Sequence, residues 1–116
     1  MSTLVAFEDY KAFVNYWVAG LGKPRSRGQF RRMAAHLRVH PSLLTLIFRG
    51  NRDLTVEQAA DLTQYLGLDS WESEYFLVLG ERARAGRENL RGMMETRRKR
   101  LLQALPPTQR AGLIPL

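Results

Sequence analysis

Apolar residues recur every three or four positions over most of this chain, and nowhere do they settle into the two-residue alternation of a half-buried strand. Leu4, Phe7, Tyr10, Phe13, Val14, Trp17 and Leu21 open the pattern and predict one amphipathic helix over residues 4–21. Gly20 and Gly22 end it, and Lys23-Pro24 blocks continuation, because proline lacks an N–H and its ring crowds the preceding turn. A basic loop, residues 24–28, follows. Phe30, Met33, Ala34 and Leu37 then predict a short helix over Gln29–Leu37. The tight connection Arg38-Val39-His40 leads to a third helix over Pro41–Arg49. Pro41 suits its first position, where the missing N–H would be unpaired anyway, and His40 is placed to cap it. Gly50 is expected as a left-handed cap at its end.

The second half begins with two sequence-legible helix starts. Thr55 with Gln58 forms a capping box opening a helix through Leu66, whose inner stripe is Val56, Ala59, Leu62, Thr63 and Leu66. Gly67 caps its end. Asp69 with Glu72 opens the next helix, with Trp71, Tyr75, Phe76 and Leu79 on one face, and Gly80 and Gly86 are expected to loosen its end. A last helix spans residues 87–105, with a stripe of Leu90, Met94, Leu101, Leu102 and Leu105 and with Met93 beside it; Pro106-Pro107 terminates it. The expected organisation is a domain over 1–86, a basic amphipathic helix over 87–105 serving as a dimerisation or linker element, and a tail over 106–116. A helix as long as 87–105 needs something to bury its stripe, which makes Leu90, Met94, Leu101, Leu102 and Leu105 the candidate pairing surface of a homodimer.

Charge is distributed in blocks. The formal net charge is +7, yet no acidic residue occurs between Tyr10 and Arg52, a stretch holding Lys11, Lys23, Arg25, Arg27, Arg31, Arg32, Arg38, Arg49 and Arg52. From Asp53 to Glu81 all charged side chains are acidic, and from Arg82 onward bases dominate again. A basic block free of carboxylates suits a polyanion, since no like charge repels the phosphates. The plainer reading is solubility together with pairing to the acidic block. The run Arg97-Arg98-Lys99-Arg100 has three readings: a solvated face, a contact for nucleic acid or an anionic second messenger, or a subunit contact with the acidic block.

Several classes lose support. With no cysteine there can be neither a disulfide framework nor a thiolate metal site, which suits a reducing cytoplasm. No apolar run approaches the roughly 18 residues that span a bilayer, and the N-terminus lacks the basic start of a signal peptide. His36 and His40, without cysteine or a glutamate at ligand spacing, are poor metal ligands. No nucleophile–base spacing, phosphate-cradling glycine loop or paired carboxylate stands out, so neither an enzyme nor a cofactor is expected.

The spacing within 34–50 carries more than basicity does. Ala34 is small where the third helix must cross closely, Val39 supplies a buried aliphatic in the turn, Leu44 and Ile47 face inward, and Gly50 lets the chain leave. These positions lay the third helix across the second with an outer face free to enter a major groove. Residues 28–68 resemble the Cro and phage-repressor helix-turn-helix family in this spacing and in the Thr-capped helix ending in Leu-Gly-Leu. Across residues 7–79, FEDYKAFVNYW, HPSLLTLIFRGNRDL and LGLDSWESEYFLVL are similar to a group of longer, uncharacterised bacterial regulators, which join such a region to a C-terminal domain of unknown function.

The resemblance implies an all-α fold: a five-helix lambda-repressor-like helix-turn-helix bundle with an additional long C-terminal helix. It implies a cytoplasmic, nucleoid-associated regulator that binds double-stranded DNA as a homodimer. Ser42, Leu43, Thr45 and Leu46 would face base edges, Leu43 and Leu46 touching thymine methyls. Arg25, Arg27, Gln29, Arg31, Arg49, Asn51 and Arg52 would lie against phosphate. The chain departs from the family pattern in three places: Phe30 stands where glutamine is common, Arg38 where the turn glycine is usual, and Pro41 where the reading helix often begins with Gln or Arg. Two outward leucines also fit an adaptor that keeps the scaffold and binds protein, and the C-terminal arginines fit, more weakly, a sensor of anionic nucleotides.

Overall fold

Asp9 sets the start of the first long helix. In the computed structural model, which describes residues 4–86 and 88–106, the Asp9 backbone is extended and its carboxylate accepts the Lys11 amide at 2.9 Å. Helix α1 therefore runs Tyr10–Gly20. The continuous helix expected from residue 4 is replaced by a separate 3-10 turn at Leu4–Ala6, because a residue capping a helix cannot also lie inside one. Leu4 is nonetheless fully buried and Phe7 packs against the core. The spacing located Leu4, Phe7, Tyr10, Phe13, Val14 and Trp17 correctly, whereas Leu21 is half-buried at the end of α1 and outside the core, and the helix was begun too early.

Helices α2 (Gln29–Leu37) and α3 (Pro41–Arg49) are joined by three residues. Arg38 takes the left-handed conformation, φ 59° and ψ 43°, that glycine adopts most readily. Its amide donates to the Ala35 carbonyl at 3.2 Å and the next amide, Val39, to Ala34 at 2.9 Å, which satisfies two carbonyls at the helix end. His40 caps α3, its Nδ1 accepting the Ser42 amide at 3.1 Å. Gly50 is not the left-handed cap expected of it: its backbone is at φ −131° and ψ −152°. Glycine is required there by proximity, since a Cβ would stand 2.5 Å from the Leu46 carbonyl oxygen.

Both predicted capping boxes are present. Thr55 and Gln58 open α4 (Val56–Leu66), and Asp69 and Glu72 open α5 (Ser70–Arg84). Val56, expected on the inner stripe, is 47% exposed; it begins the first turn, ahead of the part of α4 that packs. Ala59, Leu62, Thr63 and Leu66 are buried as expected. Gly80 does not loosen α5 but lies buried within it, and the helix continues to Arg84.

Helix α5 is the central element, packed against α1, α4 and α6 (Glu88–Gln103). The core joins Tyr10, Phe13 and Val14 of α1 with Met33, Ala34 and Leu37 of α2, Leu44, Ile47 and Phe48 of α3, and Tyr75, Phe76 and Leu79 of α5. The Phe76 ring meets the rings of Tyr10 and Phe13 near-perpendicularly at 5.8 and 6.4 Å, a favourable arrangement of aromatic quadrupoles. Among the described residues all regular structure is helical, and no helix is long and apolar enough to cross a membrane.

The stripe on α6 is divided. Leu101 and Leu102 pack against the core, Leu105 is buried, and Trp71 Nε1 donates to the Leu101 carbonyl at 3.1 Å. These three leucines, expected at a pairing surface, are covered by their own chain, because α6 folds back along α5. Met94 is half-buried, while Leu90 and Met93 remain 43% and 63% exposed. The charge blocks meet along the same seam. Arg97 lies 3.8 Å from Glu74 and 3.7 Å from Glu81 of α5. Arg98 is buried, bonded to Glu95 and to Tyr75 Oη, and 3.5 Å from Glu8. Burial opposes its charge, but the Glu95 and Tyr75 bonds hold its affinity for the proton above the ordinary arginine range. Part of the last basic block is thus neutralised within the chain. Lys99 and Arg100 stay exposed. Of the expected tail over 106–116, all but Pro106 lies outside the described residues.

Candidate functional site

Helix geometry sorts the nine residues of α3 into two faces. At about 100° per residue, Ser42, Thr45, Leu46 and Arg49 fall within an arc of about 100°, opposite Leu44, Ile47 and Phe48. The first four are exposed and the last three buried, so α3 presents a clear outer row. Leu43 is not in that row. It sits on the flank, half-buried and packed against the core, which corrects its expected place among the base-facing residues.

The chemistry of the row is narrower than its composition suggests. Ser42 Oγ lies 2.8 Å from His40 Nδ1, the atom that also accepts the Ser42 amide. Thr45 Oγ1 donates to the Pro41 carbonyl at 3.5 Å, one turn back. Both hydroxyls thus have a partner within the helix while their oxygens can still accept, and the row also exposes the half-covered Leu46 side chain and Arg49.

Arg25, Arg27, Arg31, Arg49 and Arg52 are all exposed, as is Arg38, and among the described residues none of the six is ion-paired. Two neighbours do different work. Arg32 donates to the carbonyls of Arg25 and Arg27 at 3.1 and 2.7 Å and so braces the loop before α2. Gln29, expected at phosphate, has both ends of its amide engaged: Nε2 donates to the Arg25 carbonyl at 3.0 Å, and Oε1 accepts the Tyr65 hydroxyl at 2.7 Å. Its role is to anchor that loop to α4, and the exposed cations of the loop are Arg25 and Arg27.

The loop after α3 carries Asn51 and Arg52, both exposed, and is fastened by residues the sequence did not single out for it. Lys11 Nζ donates to the Arg52 carbonyl at 2.7 Å and to Gly50 at 3.3 Å, and it pairs with Asp53 at 3.4 Å. Tyr10 Oη donates to Asp53 and accepts the Leu54 amide, and Arg84 donates to the Leu54 carbonyl at 2.8 Å. Burial is the main cause that pushes the Tyr10 phenol above its usual range; the Leu54 amide opposes it and the neighbouring Asp53 adds to it. Lys11 and Tyr10 stand about forty residues from their partners, so no local spacing signals these contacts.

Beside this loop lies a cleft of about 560 Å³, lined by residues that include Glu8, Lys11, Asn51, Asp53, Arg82 and Arg91. Several of its charges are already paired, Lys11 with Asp53 and Arg82 with Glu8 and Glu95. Among the described residues no group of three His, Asp or Glu side chains is placed to hold a metal. His36 is directed to the Asp61 carbonyl, 3.2 Å from Nε2.

Comparison with protein-family models, with curated proteins and with solved structures finds no match to this chain.

Proposed function

We propose that this chain is a DNA-binding transcription regulator of the lambda-repressor-like helix-turn-helix class, with α2 and α3 as the paired helices and α3 as the helix that enters the major groove. The observation that carries this reading is the exposed outer row of α3 within a stretch whose arginines, 25, 27, 31, 49 and 52, have no ion-pair partners among the described residues. Unpaired guanidinium groups on a flank of one sign bind phosphate without first breaking internal pairs. Two copies would set two α3 helices in successive major grooves, one helical turn apart. On α6, Leu90 and Met93 are the apolar groups still open for pairing.

The experiment is a titration of duplex binding with salt. Several phosphate contacts demand a steep, log-linear loss of affinity as salt rises, and removing one lowers the slope by about one. Arg49→Ala and Arg52→Ala should each weaken binding to every duplex sequence. Affinity that ignores both salt and these changes refutes the proposal.

A second reading, an adaptor that binds protein through α3, is favoured by one observation: Leu46 is 50% exposed on the outer row. Leu46→Ser separates the two, since loss of a protein complex with salt-sensitive duplex binding intact would favour the adaptor. The nucleotide-sensor reading is weakened, because Arg97 and Arg98 already hold carboxylates of this chain.

A further inference from the structure

We infer that Tyr65 is a positioning residue: acting through Gln29, it fixes the loop before α2 so that Arg25 and Arg27 meet phosphate already ordered. The inference rests on the DNA-binding reading above and adds a residue of α4, outside the paired helices, that sets how tightly the duplex is held.

The loop does not hold itself. Residues 22–25, 27 and 28 are exposed, Ser26 is half-buried, and none belongs to the core. The backbone bonds within it are local, from Ser26 to Gly22 at 2.8 Å and from Arg27 to Pro24 at 3.1 Å. Lys23, Arg25 and Arg27 carry like charge, which favours an open loop over a closed one. Two side chains of α2 oppose this. The Arg25 carbonyl accepts both Gln29 Nε2 at 3.0 Å and Arg32 Nη2 at 3.1 Å, so both lone pairs of that oxygen are used. Arg32 Nη2 also donates to the Arg27 carbonyl at 2.7 Å.

Of the two braces, Gln29 needs a guide. Turning its amide over exchanges Nε2 for Oε1 and sets an oxygen against the Arg25 carbonyl oxygen. The Tyr65 hydroxyl donates to Oε1 at 2.7 Å, which keeps Nε2 towards the loop. Tyr65 is itself held from two helices, its ring 6.2 Å from that of Trp17 in α1 and 5.5 Å from that of His36 in α2. The His36 ring is tied to α4 in turn, with Nε2 at 3.2 Å from the Asp61 carbonyl. The junction of α1, α2 and α4 therefore reaches the loop through one hydroxyl. Freezing the backbone of a single residue on binding costs the equivalent of roughly tenfold in affinity, and a loop ordered beforehand avoids that loss.

The test removes the hydroxyl and keeps the ring and every charge. Tyr65→Phe should weaken binding to a fixed duplex at one salt concentration by roughly threefold to tenfold, since Arg32 still holds part of the loop. Gln29→Met should do the same, and the two changes together should do no more than either, because they break one chain of contacts. In a protein carrying Arg25→Ala and Arg27→Ala, Tyr65→Phe should have no further effect, a result that a merely structural role would not give. Backbone order parameters of residues 25–28 by nitrogen relaxation, near about 0.85 for an ordered loop, should fall in both single variants. Circular dichroism checks folding, and Gln29→Met supplies the measurement if Tyr65→Phe unfolds.

Unchanged affinity in both single variants, with salt-sensitive binding by the native protein, overturns the inference and leaves the DNA reading standing. A loss of equal size in the protein lacking the two arginines also overturns it, since Tyr65 then acts by another route. A native protein that binds no duplex overturns the DNA reading and the inference with it.

Discussion

The Tyr10 hydroxyl donates to Asp53 Oδ1 at 2.9 Å and accepts the Leu54 amide at 3.1 Å, so one side chain of α1 holds the loop that leaves α3. Tyr10 is 1% exposed, and the Leu54 amide it satisfies is buried with it. Together with Lys11 of the same helix, which bonds the same loop, it couples the position of Asn51 and Arg52 to the core rather than to the loop's own conformation.

Tyr10→Phe therefore keeps the ring in place and leaves a buried amide without its acceptor, a loss of about 2 kcal/mol in unfolding free energy by urea denaturation. The pH dependence follows from the direction of the shift. A phenol whose folded affinity for its proton is raised ionises first in the unfolded chain, so its contribution is complete below the ordinary phenol range, near pH 10. That contribution is lost as pH rises beyond it. The gap between the native protein and Tyr10→Phe should hold up to about pH 10 and narrow as pH rises above it. A gap that stays constant would show that Tyr10 is not held protonated by the fold.

Arg38→Gly is expected to stabilise the protein. A side chain in the left-handed region costs roughly 1–2 kcal/mol, and glycine removes that cost while adding freedom to the unfolded chain, for a net gain of about 1 kcal/mol. Thermal unfolding should shift upward by roughly 4 °C. Arg38 is exposed and unpaired among the described residues, so no compensating contact is lost. A fall in melting temperature would mean that the guanidinium makes a contact in solution that outweighs the backbone strain.

Arg98 and Glu95 predict behaviour in acid. The bond from Arg98 holds the Glu95 carboxyl below the ordinary range, so the stabilisation is present above about pH 4.5 and is lost as pH falls through the depressed folded value. Arg98→Met should cost about 2 kcal/mol at pH 6, because Tyr75 Oη and two partly exposed carboxylates lose their partner. The difference from the native protein should shrink at pH 3. Denaturation curves displaced equally at both pH values would rule out this ion pair as the source.

Leu105→Ala distinguishes a docked α6 from a free pairing helix. Leu105 is 5% exposed, and truncating it should lower unfolding free energy by about 2–3 kcal/mol without changing the oligomeric state seen by sedimentation. Leu90→Glu with Met93→Glu should do the reverse, leaving the fold intact and shifting any dimer towards monomer. If Leu105→Ala dissociates a dimer at unchanged stability, the packing of α6 on α5 is not the arrangement in solution.

What could be read from the chain alone was local. The caps at Thr55, Asp69 and His40, the proline at the start of α3 and the stripes of α2, α5 and, apart from Val56, α4 involve residues within one or two turns, where spacing and helix geometry are sufficient. The outer row of α3 follows from the same arithmetic, apart from Leu43, whose flank position leaves its burial to whichever neighbour leans over it. Periodicity also overextended α1, because it registers that Leu4 and Phe7 are buried but is blind to Asp9 interrupting the backbone between them.

The sequence by itself determined that the chain is helical, where α3, α4 and α5 begin, which residues make most of the core, and that the stretch around α2 and α3 carries one sign of charge. Only the tertiary structure decided that Gln29 and Arg32 brace a loop, that Lys11 and Tyr10 hold another, and that Leu101, Leu102, Leu105, Arg97 and Arg98 serve their own chain. The physical reason is reach: a helix stripe is an interaction over a few residues, whereas a side chain chooses among carbonyls, carboxylates and apolar surfaces that folding brings together from tens of residues away.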